Sequence, residues 1–306
     1  MTKTKILIAI DEVEMAETIV KTACNLIDRQ NTEITLLNVL ETTCAEEELF
    51  LREPENFIKH ESLKSEYYVI ENFLEQNNFD FKGLVFVEGI ASEVILKMSK
   101  EQKYDLVVIG CNEKNVLEKI LLGSTSYKVI RDSKCSVLVV KPHAEQKKLS
   151  DNYNVLFATD GSEHSIYATD YVKTILDKNR AKLSVLNVRV PFQAVLPQES
   201  YSYIDITTLI KEAEMVSKDI VKQATVKLMQ NGFDVEQKLF LEGEPAAEIV
   251  KLAQNSGYAP NDYDLLVIGS HGKNNMSMFF MGSTSSKVYE NTNKTVLIVK
   301  FLKINK

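Results

Sequence analysis

The chain has 306 residues, room for two domains of roughly 150 residues, and its 44% apolar and 26% charged content is ordinary globular usage, which excludes global disorder and collagen-like repeats. A net charge of −7, from 36 basic and 43 acidic side chains, leaves no basic surplus to neutralise a phosphate backbone, so nucleic acid is not an expected partner. No apolar run approaches the ~18 residues of a membrane span, the opening run Ile6 to Ile10 is shorter than a secretory signal, and four cysteines without a Cys-x-x-Cys pair point to a reducing cytoplasm rather than a membrane or an export route.

The predicted elements alternate between strand and helix. Short runs rich in Val, Ile and Leu predict buried strands near 5–10, 34–40, 84–88, 105–110 and 136–141. Between them, apolar residues at spacings of three and four predict helices over Met15 to Leu26 and Ala91 to Lys103. A polar stretch that opens on Pro142 reads as a linker over 142–152. Five more strands follow near 154–159, 182–188, 237–242, 264–269 and 295–300, with a long helix over Ile206 to Met229 and Gly232 as its stop. Strands alternating with helices imply a parallel sheet covered on both faces.

The second set repeats the first. Lys5–Asp11 matches Asn154–Asp160, and Ile34–Val39 matches Leu183–Val188, both at an offset of 149. Phe86–Gly89 matches Phe240–Gly243 at 154. Tyr104–Gly110 matches Tyr263–Gly269, Gly123–Ser126 matches Gly282–Ser285, and Ser136–Lys141 matches Thr295–Lys300, all at 159. Six ordered matches with two small insertions identify a duplication.

In an open parallel sheet, ligands sit at the carboxyl ends of the strands where the winding reverses. After the fourth strand of the second copy the chain reads Gly269-Ser270-His271-Gly272, nine residues, then Gly282-Ser283-Thr284-Ser285. Glycines let backbone approach an anion, and the Ser/Thr run opens a helix over Thr284 to Glu290 whose N-terminus favours phosphate. The alternative is two turn loops and an N-cap serine. Asp160-Gly161-Ser162 ends the first strand of the same copy. Asp160 suits a ribose hydroxyl or a phosphate-bound metal, and Ser162 suits a helix cap; a ligand-free Asp-Gly turn is the alternative.

Gly-x2-Gly-x9-Gly-(Ser/Thr), carried by Gly269, Gly272, Gly282 and Ser283 with Asp160 at the end of strand one, resembles the nucleotide-binding pattern of the universal stress protein family. The resemblance covers nearly the whole chain as two tandem domains, 1–146 and 151–306. It implies α/β architecture: two doubly wound domains, each a five-stranded parallel sheet in the order 3-2-1-4-5 with helices on both faces. ATP-binding members of the family hold adenine between the ends of strands one and two, with ribose and phosphates over the glycine motif. Carried over residue by residue, Ala158, Thr159, Asp160 and Val188 line the adenine and ribose pocket. Gly269, Gly272, Gly282, Ser283 and Thr284 hold ribose and phosphates, and Ser270, His271 and Ser285 complete the expected nucleotide-binding set.

The first copy departs from the pattern. Asp11, Val39, Gly110, Gly123, Ser124 and Thr125 keep their places, but Glu113 replaces the second glycine and Glu12-Val13 replaces Gly161-Ser162. A like charge at about 4 Å from a phosphate costs on the order of 1–4 kcal/mol, or one to three decades of affinity. The first domain is therefore expected to bind ATP weakly or not at all.

The resemblance implies a tandem stress-response or regulatory protein that binds ATP or AMP, with Mg²⁺ accompanying ATP. No catalytic residue and no metal ligand set is assigned. The alternatives are slow ATP hydrolysis, for which only Asp160 and His271 offer a base, and a nucleotide-free protein-interaction module. Family domains pair through their last strands, which implies pairing of the two halves through Val137–Val140 and Val296–Val299, and association as a homodimer.

Other features are weighed as structural. Lys97-Met98-Ser99-Lys100 is similar to a synthetase loop, but it falls in a helical pattern without a His-x-Gly-His partner. Gly-x4-Gly-Lys-(Ser/Thr) and Gly-x-Gly-x-x-Gly are absent from the sequence. Glu46 to Glu48, Glu53 and Glu55 read as a solvated face. Phe192, Leu196, Tyr201 and Tyr203 read as a cover over the nucleotide or as interdomain packing. Met276, Met278, Phe279, Phe280 and Met281 read as interface or core. Cys111, with no histidine placed to activate it, reads as an inert thiol.

Overall fold

The computed structural model describes residues 3–11, 13–40, 61–111, 123–142, 147–191, 206–254, 262–272 and 281–301. The chain divides between Leu149 and Ser150 into two units. Cys44, the acidic stretch 46–55, Glu12, Glu113, the apolar spacer 276–280 and the insertion bearing Phe192, Leu196, Tyr201 and Tyr203 lie outside the described residues.

The first unit runs β1 (Thr4–Ile10), α1 (Val13–Leu26), β2 (Thr32–Leu40), α2 (Glu61–Gln76), β3 (Asp80–Glu88), α3 (Ala91–Glu101), β4 (Leu106–Gly110), α4 (Ser124–Asp132) and β5 (Ser136–Val140). Its strands pair in parallel in the order β3-β2-β1-β4-β5. The second unit runs β6 (Tyr153–Ala158), α5 (Glu163–Ile175), β7 (Ala181–Arg189), α6 (Ile206–Gln230), β8 (Asp234–Glu242), α7 (Pro245–Ala253), β9 (Leu265–Gly269), α8 (Ser283–Asn291) and β10 (Thr295–Val299). Its order is β8-β7-β6-β9-β10, again parallel. The predicted 3-2-1-4-5 order is thus present in both units.

Burial explains the unbroken apolar runs. Ile6, Leu7 and Ile8 of β1, and Val155, Leu156 and Phe157 of β6, are fully buried at successive positions, so both faces of each central strand are covered. The repeated Tyr-Asp pair serves the frame. Asp105 Oδ2 accepts the Lys5 N–H at 2.8 Å, and Asp264 Oδ2 accepts the Asn154 N–H at 2.7 Å, each tying β1 or β6 to the strand beside it. Tyr104 and Tyr263 are buried next to them.

Two strands begin earlier than expected. β3 starts at Asp80 and β8 at Asp234, because these outer strands open on polar residues that apolar runs do not reveal. Lys82 pairs with Asp80, and Lys182 with Asp234 and Glu236. β8 alternates exposed and half-buried positions along its whole length, the signature of a strand covered on one face. α3 ends at Glu101, two residues before the expected end, because Lys103 turns left-handed at φ 55° and the Tyr104 N–H returns to the Ser99 carbonyl. Gly232, at φ 92°, does stop α6, with the Phe233 N–H closing on the Leu228 carbonyl. Among the described residues no helix is long and apolar enough to cross a membrane.

In each unit, β1→β2→β3 and β6→β7→β8 wind one way while β4→β5 and β9→β10 wind the other. The reversal lies between β1 and β4, and between β6 and β9. The carboxyl ends of those pairs are where a crevice opens.

Candidate functional site

The second unit has a cavity of ≈ 1010 Å³ at the carboxyl ends of β6 and β9, at the upper end of small-molecule sites. Ala158, Thr159 and Asp160 enter from β6, Val188 from β7, Gly269, His271 and Gly272 from β9, and Gly282 to Ser285 from the start of α8.

The loop after β6 is built to aim Asp160. Gly161 takes φ 74°, and a Cβ there would lie 2.8 Å from Ile220 Cγ1, so only glycine makes this turn. Asp160 Oδ1 accepts the Ser162 N–H at 3.0 Å. Ser162 caps α5 as expected, its hydroxyl accepting the Ser165 N–H. The Thr159 hydroxyl donates to Ser165 Oγ at 3.0 Å and accepts the Gly161 N–H at 3.2 Å. The other oxygen of Asp160, Oδ2, faces Gly272, where an added Cβ would approach to 2.7 Å.

At the start of α8 the N-cap is Gly282, with no side-chain cap; Ser283 is the first helical residue. The N-cap serine alternative is thereby replaced by an uncapped terminus. The first-turn amides of a helix have no intrahelical acceptor, so this end presents donors and a positive dipole end to the cavity. Ser283 and Thr284 stand at that end, exposed and half-buried.

Two members of the predicted set have structural tasks. Ser285 Oγ donates to the Gly269 carbonyl at 2.7 Å, pinning α8 to the end of β9. Ser270 is buried and is not among the residues lining the cavity. Its N–H bonds the Val299 carbonyl, its carbonyl accepts the Gly282 N–H, and its hydroxyl lies 2.9 Å from His271 Nδ1. His271 in turn stands 5.0 Å, centroid to centroid, from the ring of His164 at the start of α5.

The sequence did not mark the far wall: Ala213, Val216, Ser217 and Ile220 of α6, and Pro245 and Ile249 of α7. Their apolar spacing is that of any core-facing helix. Asn187 is also unforeseen. It is buried, its Nδ2 donates to the Thr159 carbonyl at 2.7 Å, and its Oδ1 accepts the Ser217 hydroxyl at 2.7 Å. Arg189, on the same rim, pairs with Glu242 and Glu214. Glu244 caps α7 through the Ala247 N–H at 2.7 Å and reaches Lys287 of α8 at 3.2 Å. Against the desolvation that raises it, these two contacts hold its carboxyl below the usual range.

The first unit repeats the frame with a different filling. Ser126 Oγ donates to the Gly110 carbonyl at 3.0 Å, and Gly123 is the uncapped N-cap of α4, followed by Ser124 and Thr125. Asp11 is exposed and Val39 half-buried. However, a Cβ on Gly110 would lie 2.5 Å from Ile19 Cδ1 and 3.7 Å from Met15 Cε, so apolar side chains of α1 cover this glycine. Gly269 instead faces the backbone of His271 and His164 at 3.5–3.6 Å. Cys111 is fully buried, 4.0 Å from the Nζ of the equally buried Lys141, and burial pushes the Cys24 thiol up. Among the described residues no group of three or more His, Cys, Asp or Glu converges to hold a metal ion.

The sequence profile of the universal stress protein family matches residues 3–141 and again 152–300. A universal stress protein of Methanocaldococcus jannaschii is 27% identical over 158 residues, spanning 48% of this chain and 93% of that protein. One of Bacillus subtilis is 31% identical over 152 residues, spanning 48% and 97%. The crystal structure of a universal stress protein from Archaeoglobus fulgidus superposes over 97% of this chain and 98% of its own with a TM-score of 0.57 at 22% identity, a likeness of fold.

Proposed function

The chain belongs to the universal stress protein family, matched twice over residues 3–141 and 152–300, and on that footing we propose that its second unit binds an adenine nucleotide, ATP or AMP, and that the protein acts as a nucleotide-dependent stress-response or regulatory factor. One observation carries the reading. A single cavity at the switch point is lined both by apolar side chains and by an uncapped helix N-terminus.

The chemistry of the lining fits both parts of a nucleotide. Leu186, Val188, Val190, Val216 and Ile249 suit the faces of a flat heteroaromatic base, whose burial is favoured at ~25 cal/mol per Å² of apolar surface. The amides that open α8, with the Ser283 and Thr284 hydroxyls, suit phosphate oxygens. Asp160, also in the lining, offers an acceptor for ribose hydroxyls. The absence of a Cβ at Gly269, Gly272 and Gly282 lets the main chain approach the phosphates, and Ser285 holds the two halves of that cradle together.

The reading is tested by titrating the full chain with ATP and with AMP, each with Mg²⁺, by isothermal calorimetry. Saturable binding that is weakened in Gly272→Ala, in a chain that still unfolds cooperatively, is the expected result. Absence of binding at millimolar nucleotide rejects the reading and leaves a nucleotide-free interaction module.

A further inference from the structure

We infer that His271 takes up a proton when nucleotide phosphates enter the second unit's cavity, while His164 holds the two rings to one proton between them, so that phosphate binding strengthens as pH falls through neutrality; the inference rests on the nucleotide reading above. Two of the chain's four histidines meet here, with ring centroids 5.0 Å apart at 41°. His271 stands between Gly269 and Gly272 and lines the cavity. His164 is the second residue of α5 and is not part of the lining. The first unit has no such pair, because Met15 and Asn112 are the repeat equivalents. The repeat register holds in space as well as in sequence: a Cβ on Gly110 would approach Met15 Cε to 3.7 Å, and one on Gly269 would approach His164 Cβ to 3.6 Å. An ionisable pair thus accompanies the intact glycine motif and is missing where Glu113 breaks it.

Ser270 places the His271 ring. Its hydroxyl lies 2.9 Å from Nδ1, and its carbonyl accepts the Gly282 N–H at 2.8 Å. One residue therefore ties the imidazole to the N-terminus of α8, the end proposed for phosphate. The His164 ring also meets Phe301, with centroids 5.3 Å apart. Three features work against imidazolium before phosphate arrives. His164 Nδ1 and His271 Nε2 are buried, and burial disfavours the charged ring. The positive ends of α5 and α8 lie beside the rings. Two cations at this separation repel, which limits the pair to one. Among the described residues, the other charged or titratable groups on the surrounding elements are Asp160 before α5, Glu163 and Tyr167 on α5, Lys287 on α8 and Lys300 after β10. These stay the same with and without ligand. Phosphates add negative charge alone, which raises the proton affinity of the ring they reach, and His271 is the ring in the lining.

Calorimetric titration of the full chain with Mg²⁺-saturated ATP at pH 7, in two buffers of different ionisation enthalpy and neither of them phosphate, reads the protons exchanged per nucleotide. Uptake on the order of half a proton is expected in the wild type, with affinity rising at least about threefold from pH 8 to pH 6. His271→Asn, which keeps a polar side chain beside Ser270 and copies the first unit, is expected to show no uptake and a flat pH profile. His164→Met, the other first-unit residue, is expected to keep the uptake. Adenosine, which has no phosphate, is expected to drive none. Saturable ATP binding without uptake in the wild type overturns the inference and leaves the nucleotide reading standing. Uptake that persists in His271→Asn, that disappears in His164→Met, or that is equal with adenosine also overturns it. If a variant does not fold, the wild-type measurement decides. Absence of binding at millimolar ATP rejects both the reading and the inference.

Discussion

Gly272 and Asp160 both line the cavity, and a Cβ at residue 272 would sit 2.7 Å from Asp160 Oδ2. The carboxylate cannot retreat freely, because Oδ1 is held by the Ser162 N–H at 3.0 Å. The second glycine of the motif is thus required by a protein neighbour as well as by any phosphate. Gly272→Ala is expected to displace the motif and weaken nucleotide binding at least tenfold, about 1.4 kcal/mol. Asp160→Ala in the same chain removes the collision, so the double variant is expected to bind no worse than Asp160→Ala alone. Calorimetric titration of the three variants checks this.

Gly161 combines a left-handed φ of 74° with a 2.8 Å approach to Ile220. Gly161→Ala meets both backbone strain and a clash with a cavity-lining side chain. A loss of about 1–3 kcal/mol in stability is expected, read as a lower midpoint of urea unfolding.

Ser162 provides the side-chain cap of α5. Ser162→Ala is expected to cost about 1 kcal/mol, and Ser162→Asp, which retains an acceptor, much less. Parallel unfolding curves of the two variants separate the cap from mere loss of a hydroxyl.

Glu244 ties the start of α7 to α8, both of which border the cavity. Its folded carboxyl lies below the usual range because the Ala247 amide and Lys287 outweigh desolvation. Its contribution to stability is fully present above the unfolded-chain value of about 4.3 and is lost as pH falls through the lower folded value. Glu244→Gln is expected to be less stable than wild type at pH 7, the two converging as the medium is acidified toward pH 3. Thermal melts across that range check the sign.

Much of the frame was legible in the residues. The duplicated runs around Ile6–Ile8 and Val155–Phe157 mark central strands because burial on both faces requires unbroken apolar sequence. The glycine motif was legible because few backbones need three glycines at that spacing. The starts of β3 and β8 were not, since Asp80 and Asp234 are polar ends of outer strands. The wall from α6 and α7 was not, since Val216 and Ile249 pattern like core residues. The bond from the Ser285 hydroxyl to the Gly269 carbonyl was not legible either, since a hydroxyl beside a glycine suits a frame contact as well as a ligand.

The central claim is that the second unit holds one adenine nucleotide per chain. Native mass spectrometry of the full-length protein titrated with ATP and Mg²⁺ tests it most directly. The account predicts a single added nucleotide per chain that Gly272→Ala sheds at the same concentration. A chain that remains without nucleotide at millimolar ATP, or one that takes up two, contradicts it.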